Sequence, residues 1–379
     1  MVTMRDGCVV VGLVGYGYWG PNLLRNYMEC AEAEIKYVCD RDEGRLGTVG
    51  ERYPSLSLTT RVGDLLADPE VDALLIATPI PTHYPLARDA ITAGKHVFVE
   101  KPLAASSDEA ERLLGMAADR GLTLMVGHTF EYSPPVVKIK ELIDSGELGR
   151  IFFISSSRIN LGLHQSDVSV IWDLAPHDFS ILFNWLDEEP YRISAVGRSC
   201  VHSRVPDVAF INLSFKSGAV AEVQVSWLSP IKLRRTILVG SRKMLLYDDT
   251  EPVEKVKVFD HGVTLREPGS FGEFQLSYRT GDILSPHLNN KEPLLLEAQH
   301  FIDCVTSGKS PQTDGRSGIR VVRALERAEA SLRCNTYPHP LSPEELRRDG
   351  TALAQSASLE QMLKEGRGPH DVDEPRKSA

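Results

Sequence analysis

The first third of the chain alternates short apolar runs with amphipathic stretches. CVVVGLVG (8–15), Ile35 to Cys39, VDALLIAT (71–78), KHVFVE (95–100) and LTLMVG (122–127) are apolar without a period of two. That pattern belongs to strands buried on both faces. Helical stretches separate them: Tyr18 to Tyr27, HYPLARDAITAG (83–94) and Ser107 to Arg120. Strand and helix in alternation predict a doubly wound Rossmann domain over residues 1–128, its parallel sheet covered on both sides.

After Arg150 the period changes. In AVAEVQVSW (219–227), Ala221, Val223, Val225 and Trp227 fall on one face, and Glu222, Gln224 and Ser226 on the other. FINLSF (210–215) precedes it across a Ser217-Gly218 turn, which predicts a hairpin. Further short strands are predicted at 236–240, 244–248 and 255–259. Two helices follow, one through Leu295, Ala298, Ile302 and Val305 that stops at Gly308, the other from Ser317 to Arg333. Residues 129–340 therefore read as an α+β domain with a large, mostly antiparallel open sheet. Residues 341–379 read as a polar tail with a short helix at Ser342–Arg348 or Leu359–Glu365 and about 15 disordered residues at its end.

Composition narrows the function. A length of 379 residues suits two cores rather than one. The net charge of −10 argues against a general nucleic-acid binder. Mean composition is that of a globular protein, and no apolar run approaches the roughly 18 residues of a membrane span. MVTMRDG runs into the first strand without a signal-peptide cleavage region, and the six cysteines are scattered without a C-x-x-C pair. These features point to a cytoplasmic protein with reduced thiols and no membrane partner. The eleven histidines do not cluster with other ligand residues at metal-binding spacing, so no metal site is expected.

Gly15-Tyr16-Gly17-Tyr18-Trp19-Gly20 is G-x-G-x-x-G between a buried strand and a helix. In that setting the first glycine makes the turn, the second admits a pyrophosphate and the third lets helix and strand pack closely. The helix N-terminus offers free N–H groups to the phosphates. Asp40 ends the second strand, about 20 residues further on, where an acid holds the adenosine ribose and repels a 2′-phosphate. NAD is the expected cofactor. Arg41 follows directly and could tolerate the extra phosphate of NADP, the less favoured choice. The plainer reading of Asp40 is a strand-end acid that caps a turn.

Two longer stretches carry a resemblance. ATPIPTHYPLARDAITAGKHVFVEKPLA (77–104) and VGHTFEYSPPVVKIKELIDSGELGRI (126–151) are similar to signature segments of the glucose-fructose oxidoreductase, inositol dehydrogenase and rhizopine-catabolism (Gfo/Idh/MocA) family. With the glycine loop, the resemblance covers the first 180 residues or so. It implies that Glu100-Lys101-Pro102 ends a Rossmann strand and faces the nicotinamide. It also implies that Thr78, Pro79 and His83 line the cofactor channel; the competing role for His83 is a helix cap. Glu131 departs from the family pattern, which often has Arg there.

The residues support the same centre independently. Ligands of open α/β sheets bind at the carboxyl ends of strands, and Lys101 lies at such an end. It must enter the cleft or reach water. Burial beside a cationic ring would lower its pKa and suit it to proton transfer. In WDLAPHDFSILFNWL (172–186), Asp173 and His177 stand four apart and share a helix face. Pro176 suits only a first turn, so the helix is predicted to start near Asp173. The resemblance makes His177 the acid–base group and Asp173 the residue that orients it and favours its charged form. Lys101 then hydrogen-bonds the developing alkoxide, and either it or His177 can serve as the base, since coupled groups share their titration. Plainer readings make Asp173 an N-cap and His177 a core histidine. Arg158, Asn160 and Arg235 lie on strands near the expected pocket and are candidates for a phosphate or carboxylate of the substrate; the equal alternative is a solvated basic face.

DLAPHDFSILFNWL and residues 241–263 resemble the branch that acts on nucleotide-activated sugars. The expected activity is NAD-dependent oxidation of a ring hydroxyl, at C3 of a UDP-sugar, to a ketone. A free inositol or sugar dehydrogenase, an NAD-dependent glycosidase and a non-catalytic NAD-sensing regulator are the alternatives. An exposed sheet face favours a homodimer or homotetramer.

Overall fold

The computed structural model describes residues 8–162, 164–165, 168–201, 205–266 and 275–334. The predicted tail, with its short helix, lies outside them. The first sheet holds β1 (Val9–Val14), β2 (Ala33–Cys39), β3 (Ser57–Thr59), β4 (Ala73–Ile76), β5 (His96–Glu100) and β6 (Leu124–Gly127), in the order β3-β2-β1-β4-β5-β6. Every pairing in it is parallel. The strand order reverses between β1 and β4. That is the switch point where a doubly wound sheet opens a crevice at its carboxyl edge. Helices α1 (Gly20–Met28), α2 (Glu43–Arg52), α3 (Val62–Ala67), α4 (His83–Thr92) and α5 (Ser107–Asp119) make the crossovers. The apolar patterning identifies five of these strands. It misses β3, whose three residues are all at least partly exposed.

After α6 (Pro134–Asp144) the second sheet forms from β7 (Ile151–Ile159), β8 (Arg192–Arg198), β9 (Val208–Ser214), β10 (Val220–Ser226), β11 (Leu233–Gly240), β12 (Met244–Asp248), β13 (Val256–Arg266) and β14 (Gln275–Leu284). Its order is β14-β13-β12-β11-β7-β10-β9-β8, and only the β7–β10 pair is parallel. The predicted hairpin is β9–β10, with Gly218 at φ 91° in its turn. Ala221, Val223, Val225 and Trp227 all face the core, as their alternation requires.

Helix α7 (Val170–Leu186) lies against the inner face of this sheet. It begins one turn earlier than Pro176 suggests, which leaves that proline inside the helix. The local cost of an interior proline is about 3 kcal/mol. Burial of Ile171, Phe179, Phe183 and Trp185 offsets it, at roughly 1.5–3 kcal/mol for each large apolar side chain. Tertiary packing thus overrides the local signal. The N-cap position falls to Ser169, not Asp173.

Of the last two helices, α8 (Pro293–Ser307) and α9 (Gly315–Cys334), the second ties the cores together. Phe301 of α8 meets Phe98 of β5 edge-on at 5.8 Å and Tyr27 of α1 at 6.3 Å, so α8 covers the first sheet. On α9, Ile319 and Val322 pack with Leu103 and Val126, while Val321 and Leu325 join the core of the second sheet. Helix α8 ends at Gly308, in the left-handed region, as predicted.

Candidate active site

The glycine loop joins β1 to α1. Gly15 has φ 98°, and a Cβ there would sit 2.5 Å from the carbonyl oxygen of Ala77, at the end of β4. A Cβ on Gly20 would lie 2.4 Å from Gly15 O. Beside Gly17 there is open space, with only Arg45 Nη1 at 3.8 Å. Two glycines are therefore demanded by packing, and the middle one borders the room a pyrophosphate needs. The loop fits a dinucleotide. Trp19 takes the N-cap position of α1, and Tyr18 beside it is open to solvent.

Asp40 is buried at the end of β2. Its Oδ2 accepts the backbone N–H of Tyr16 at 2.6 Å and its Oδ1 that of Asp42 at 2.9 Å. The carboxylate both shapes the glycine loop and stands where a ribose would sit. Arg45, one helical turn beyond the expected Arg41, brings its guanidinium to 3.6 Å of Asp40.

Thr78 and Pro79 follow β4 at the crevice. Thr78 packs on Gly15 and accepts a hydrogen bond from Thr82 at 2.7 Å. His83 does not cap its helix. Thr82 occupies the N-cap position of α4, and the buried ring spans two carbonyls, Pro102 O at 2.8 Å from Nδ1 and Thr78 O at 2.7 Å from Nε2. It braces the β4 loop against the β5 loop rather than presenting a nitrogen to a cofactor. Burial lowers its pKa against the opposing pull of the two carbonyls.

The β5 loop contains a cis Lys101-Pro102 bond. Glu100 Oε2 accepts the backbone N–H of Lys101 at 3.3 Å. Lys101 extends to α7, where Nζ donates to the Asp173 carbonyl at 2.8 Å and lies 3.8 Å from Asp173 Oδ1. Pro176 lacks the N–H that would bond the Trp172 carbonyl, so the helix is locally loosened at the turn that meets Lys101. Asp173 Oδ2 accepts from Trp227 Nε1 at 2.9 Å. Asp173 therefore anchors Lys101 and the indole. Among the described residues His177 Nδ1 has no hydrogen-bond partner, so the expected orienting bond from Asp173 is not made.

His177 sits among cations. Its ring meets Phe130 edge-on at 4.9 Å, and the guanidiniums of Arg158 and Arg234 lie 4.6 and 5.7 Å from the same phenyl ring. Burial, then the charges of Lys101, Arg158 and Arg234, push the His177 pKa well below the usual imidazole range. Burial and these cations favour the neutral ring, so the expected support of its charged form by Asp173 is not seen. Lys101 is lowered by burial, opposed by Asp173 and Glu100. A neutral imidazole and a softened ammonium are the forms that accept a proton and donate to an alkoxide.

Two of the three expected substrate contacts are corrected, Arg235 by the sheet register and Arg158 by its burial and its bond to Asp178. Arg235 pairs across β11–β12 with Asp248, at 2.7 Å, and points to the outer face. Its neighbour Arg234 lies opposite Arg158 on the inner face. Arg158 is itself enclosed at 6% exposure, with Nε on Asp178 at 2.7 Å. It acts on His177 through charge from behind, beyond a substrate's reach. Asn160 remains a partly exposed candidate, beside Trp227 at the end of β7. Arg234, Phe130, His128 and Trp227 were missed. A strict period-two count from Thr236, whose Oγ1 bonds Ser156, would have placed Arg234 inward.

The match to known proteins follows the same two regions. Residues 9–128 match the description "Oxidoreductase family, NAD-binding Rossmann fold", and residues 136–246 match "GFO/IDH/MocA C-terminal domain". The chain belongs to the GFO/IDH/MocA oxidoreductase family. Among its relatives is the UDP-N-acetylglucosamine 3-dehydrogenase of Acidithiobacillus ferrooxidans, 26% identical over 86% of this chain and 96% of that one. The scyllo-inositol 2-dehydrogenase (NAD(+)) of Bacillus subtilis is also 26% identical, over 80% and 87%. GenD2 from gentamicin A biosynthesis, solved with NAD, superposes with a TM-score of 0.74 at 24% identity, over 89% of this chain and 97% of that one. As a GFO/IDH/MocA member the protein is an NAD-binding oxidoreductase, a dehydrogenase of CH–OH groups. Among the described residues no helix is long and apolar enough to cross a membrane, and no group of three or more His, Cys, Asp or Glu residues could hold a metal ion.

Proposed function

We propose that the protein oxidises one ring hydroxyl of a sugar, C3 of a UDP-linked sugar, to a ketone. What supports this reading is that Lys101 Nζ bonds the Asp173 carbonyl, one helical turn before His177, and that its charge acts on the His177 ring. Gly15, Gly17, Gly20, Asp40, Thr78 and Pro79 would hold the dinucleotide, with Trp19 and Glu100 near its nicotinamide end. When bound, the cofactor supplies the hydride acceptor. His177, neutral at rest, takes the hydroxyl proton. Lys101 donates a hydrogen bond to the oxygen as its charge grows, and Asp173 positions Lys101 through its main chain and carboxylate. Asp40 selects NAD by repelling a 2′-phosphate, with Arg45 as the nearest counter-charge.

The nucleotide part of the substrate rests on the UDP-N-acetylglucosamine 3-dehydrogenase relative, and a free cyclitol on the inositol dehydrogenase relative of equal identity. Turnover with UDP-N-acetylglucosamine, free N-acetylglucosamine and scyllo-inositol, each with NAD, separates them. NADH formation with the UDP-sugar and not with the free compounds supports the proposal; the opposite pattern rejects the nucleotide. The outer face of the second sheet exposes Phe153, Phe210, Val220 and Ile237, which supports a homodimer or homotetramer built on that face. Sedimentation of the purified protein as a monomer would exclude it.

A further inference from the structure

Oxidation of the alcohol breaks an O–H and a C–H bond. The hydride reduces NAD, the carbonyl forms, and one proton remains on His177. With substrate and cofactor in the crevice, Lys101 and Asp173 lose their access to water, so the proton needs another way out. The segment that follows β6 offers one. The Glu100 carboxyl lies over Gly127, where a Cβ would stand 3.2 Å from its Oε1. His128 comes next, buried, with neither ring nitrogen bonded among the described residues. Thr129 Oγ1 then donates to Glu297 Oε2 at 2.7 Å. Glu131 follows, buried, its Oε2 accepting from Gln312 Nε2 at 3.4 Å. Glu131 and Gln312 line a polar cleft of about 140 Å³ with Ser180, Asn184 and Arg320.

The fold gives no reason to bury three carboxyl groups together. Glu297 is wholly enclosed, and its Oε1 has no hydrogen-bond partner among the described residues; the same holds for the Tyr27 hydroxyl beside it. The Trp19 indole faces Glu100 without reaching hydrogen-bond geometry. Such groups cost stability unless they are retained for chemistry or bridged by water.

We propose that His128, Glu100, Glu297 and Glu131 form a buried proton conduit from His177 to the polar cleft at Gln312 and Arg320. This rests on the reading of His177 as the base. A neutral carboxylic acid or imidazole can accept a proton on one atom and release another, which a conduit requires. The groups that face it are Tyr27 from α1, Lys101 from the β5 loop, Tyr132 beside Glu131, and Asp314 and Arg320 at the α9 end. Proton affinity is higher at the three carboxyl groups than at His128. Burial and Lys101 push His128 down to about 3, whereas burial pushes Glu100 up to about 7 and Glu131 up to about 8. Glu297 lies well above the usual carboxyl range, raised by burial and by its two acidic neighbours.

The test uses Glu297→Gln and Glu131→Gln in the full chain. Each should lower turnover in dilute buffer roughly tenfold, as one proton stage becomes limiting, and enlarge the solvent deuterium isotope effect. Small buffers should restore Glu131→Gln, whose site opens to the cleft. Without cofactor, Glu297→Gln should remove an infrared band of a protonated carboxyl group. Wild-type turnover and isotope effects in both variants overturn the conduit. So does a fall that no buffer relieves and that leaves the isotope effect unchanged, which marks the acids as structural. If Glu297→Gln does not fold, Glu131→Gln alone decides by the same readouts. Failure of the base assignment is separate, since it would show as an active His177→Ala.

Discussion

The two ends of the crevice are built differently. At the adenosine end the partners are backbone groups: Asp40 takes the N–H groups of Tyr16 and Asp42, and the glycines fit around Ala77 and Gly15 carbonyls. At the chemical end the groups come from β5, α7, β7, β11 and the turn after β6, and several lack partners: His177 Nδ1, Arg158 Nη1 and both nitrogens of His128 among the described residues. The first end is satisfied before any ligand arrives and works by shape. The second gathers buried cations and unpaired polar groups, which cost stability and mark a site kept for chemistry.

The contrast breaks first at the chemical end. His177→Ala and Lys101→Ala should each lower turnover by about 10²- to 10⁴-fold, the usual contribution of a positioned proton-transfer group. NAD affinity, followed by quenching of protein fluorescence, should change little. A variant that turns over at the wild-type rate would remove that residue from the chemistry. At the other end Asp40→Ala should weaken NAD binding by roughly tenfold, the scale of one lost charge-assisted hydrogen bond, and narrow the preference over NADP. An unchanged preference would leave discrimination to other groups.

The same asymmetry governs what could be read from the chain alone. The glycine loop and Asp40 are a local motif, so spacing located them. Lys101 and His177 were found through their segments, but the contacts of Asp173 were not, because Trp227 and the β5 loop reach it from 54 and 72 residues away. The start of α7 was misplaced because a proline was weighed without the core that holds it. Helix α8 lies nearly 200 residues from β5, yet it covers the same sheet, and no period in the sequence carries that return.

Stability should also depend on pH in a way set by the buried acids. A carboxyl raised in the folded state binds its proton more tightly there than in the unfolded chain, so its contribution is present at low pH and lost as pH rises through the folded value. Glu100 and Glu131, raised from 4.5 to about 7 and about 8, spread that loss from about pH 4.5 up to those values. The buried histidines oppose it only below their ordinary value of 6.5, because their folded pKa values are lowered. Melting temperature should therefore fall from pH 6.5 to 8, and Glu131→Gln should flatten the slope. A slope unaltered by that change would mean the Glu131 carboxyl is ionised throughout.

The smallest effect is the sharpest test of register. Arg234 and Arg235 are adjacent, and both carry acidic partners, Asp249 at 3.3 Å and Asp248 at 2.7 Å. Only Arg234 faces His177. Its charge holds the imidazole pKa down, so Arg234→Met should raise that pKa and move the acid limb of the turnover–pH profile to higher pH. Arg235→Met removes the same charge from the opposite face of the sheet, where solvent screens it, and should leave the limb in place. Equal shifts from both would mean that overall charge, rather than the inward side chain, sets the histidine. A shift from Arg235→Met alone would place β11 one residue out of the register with β7 in which Arg234 pairs with Arg158.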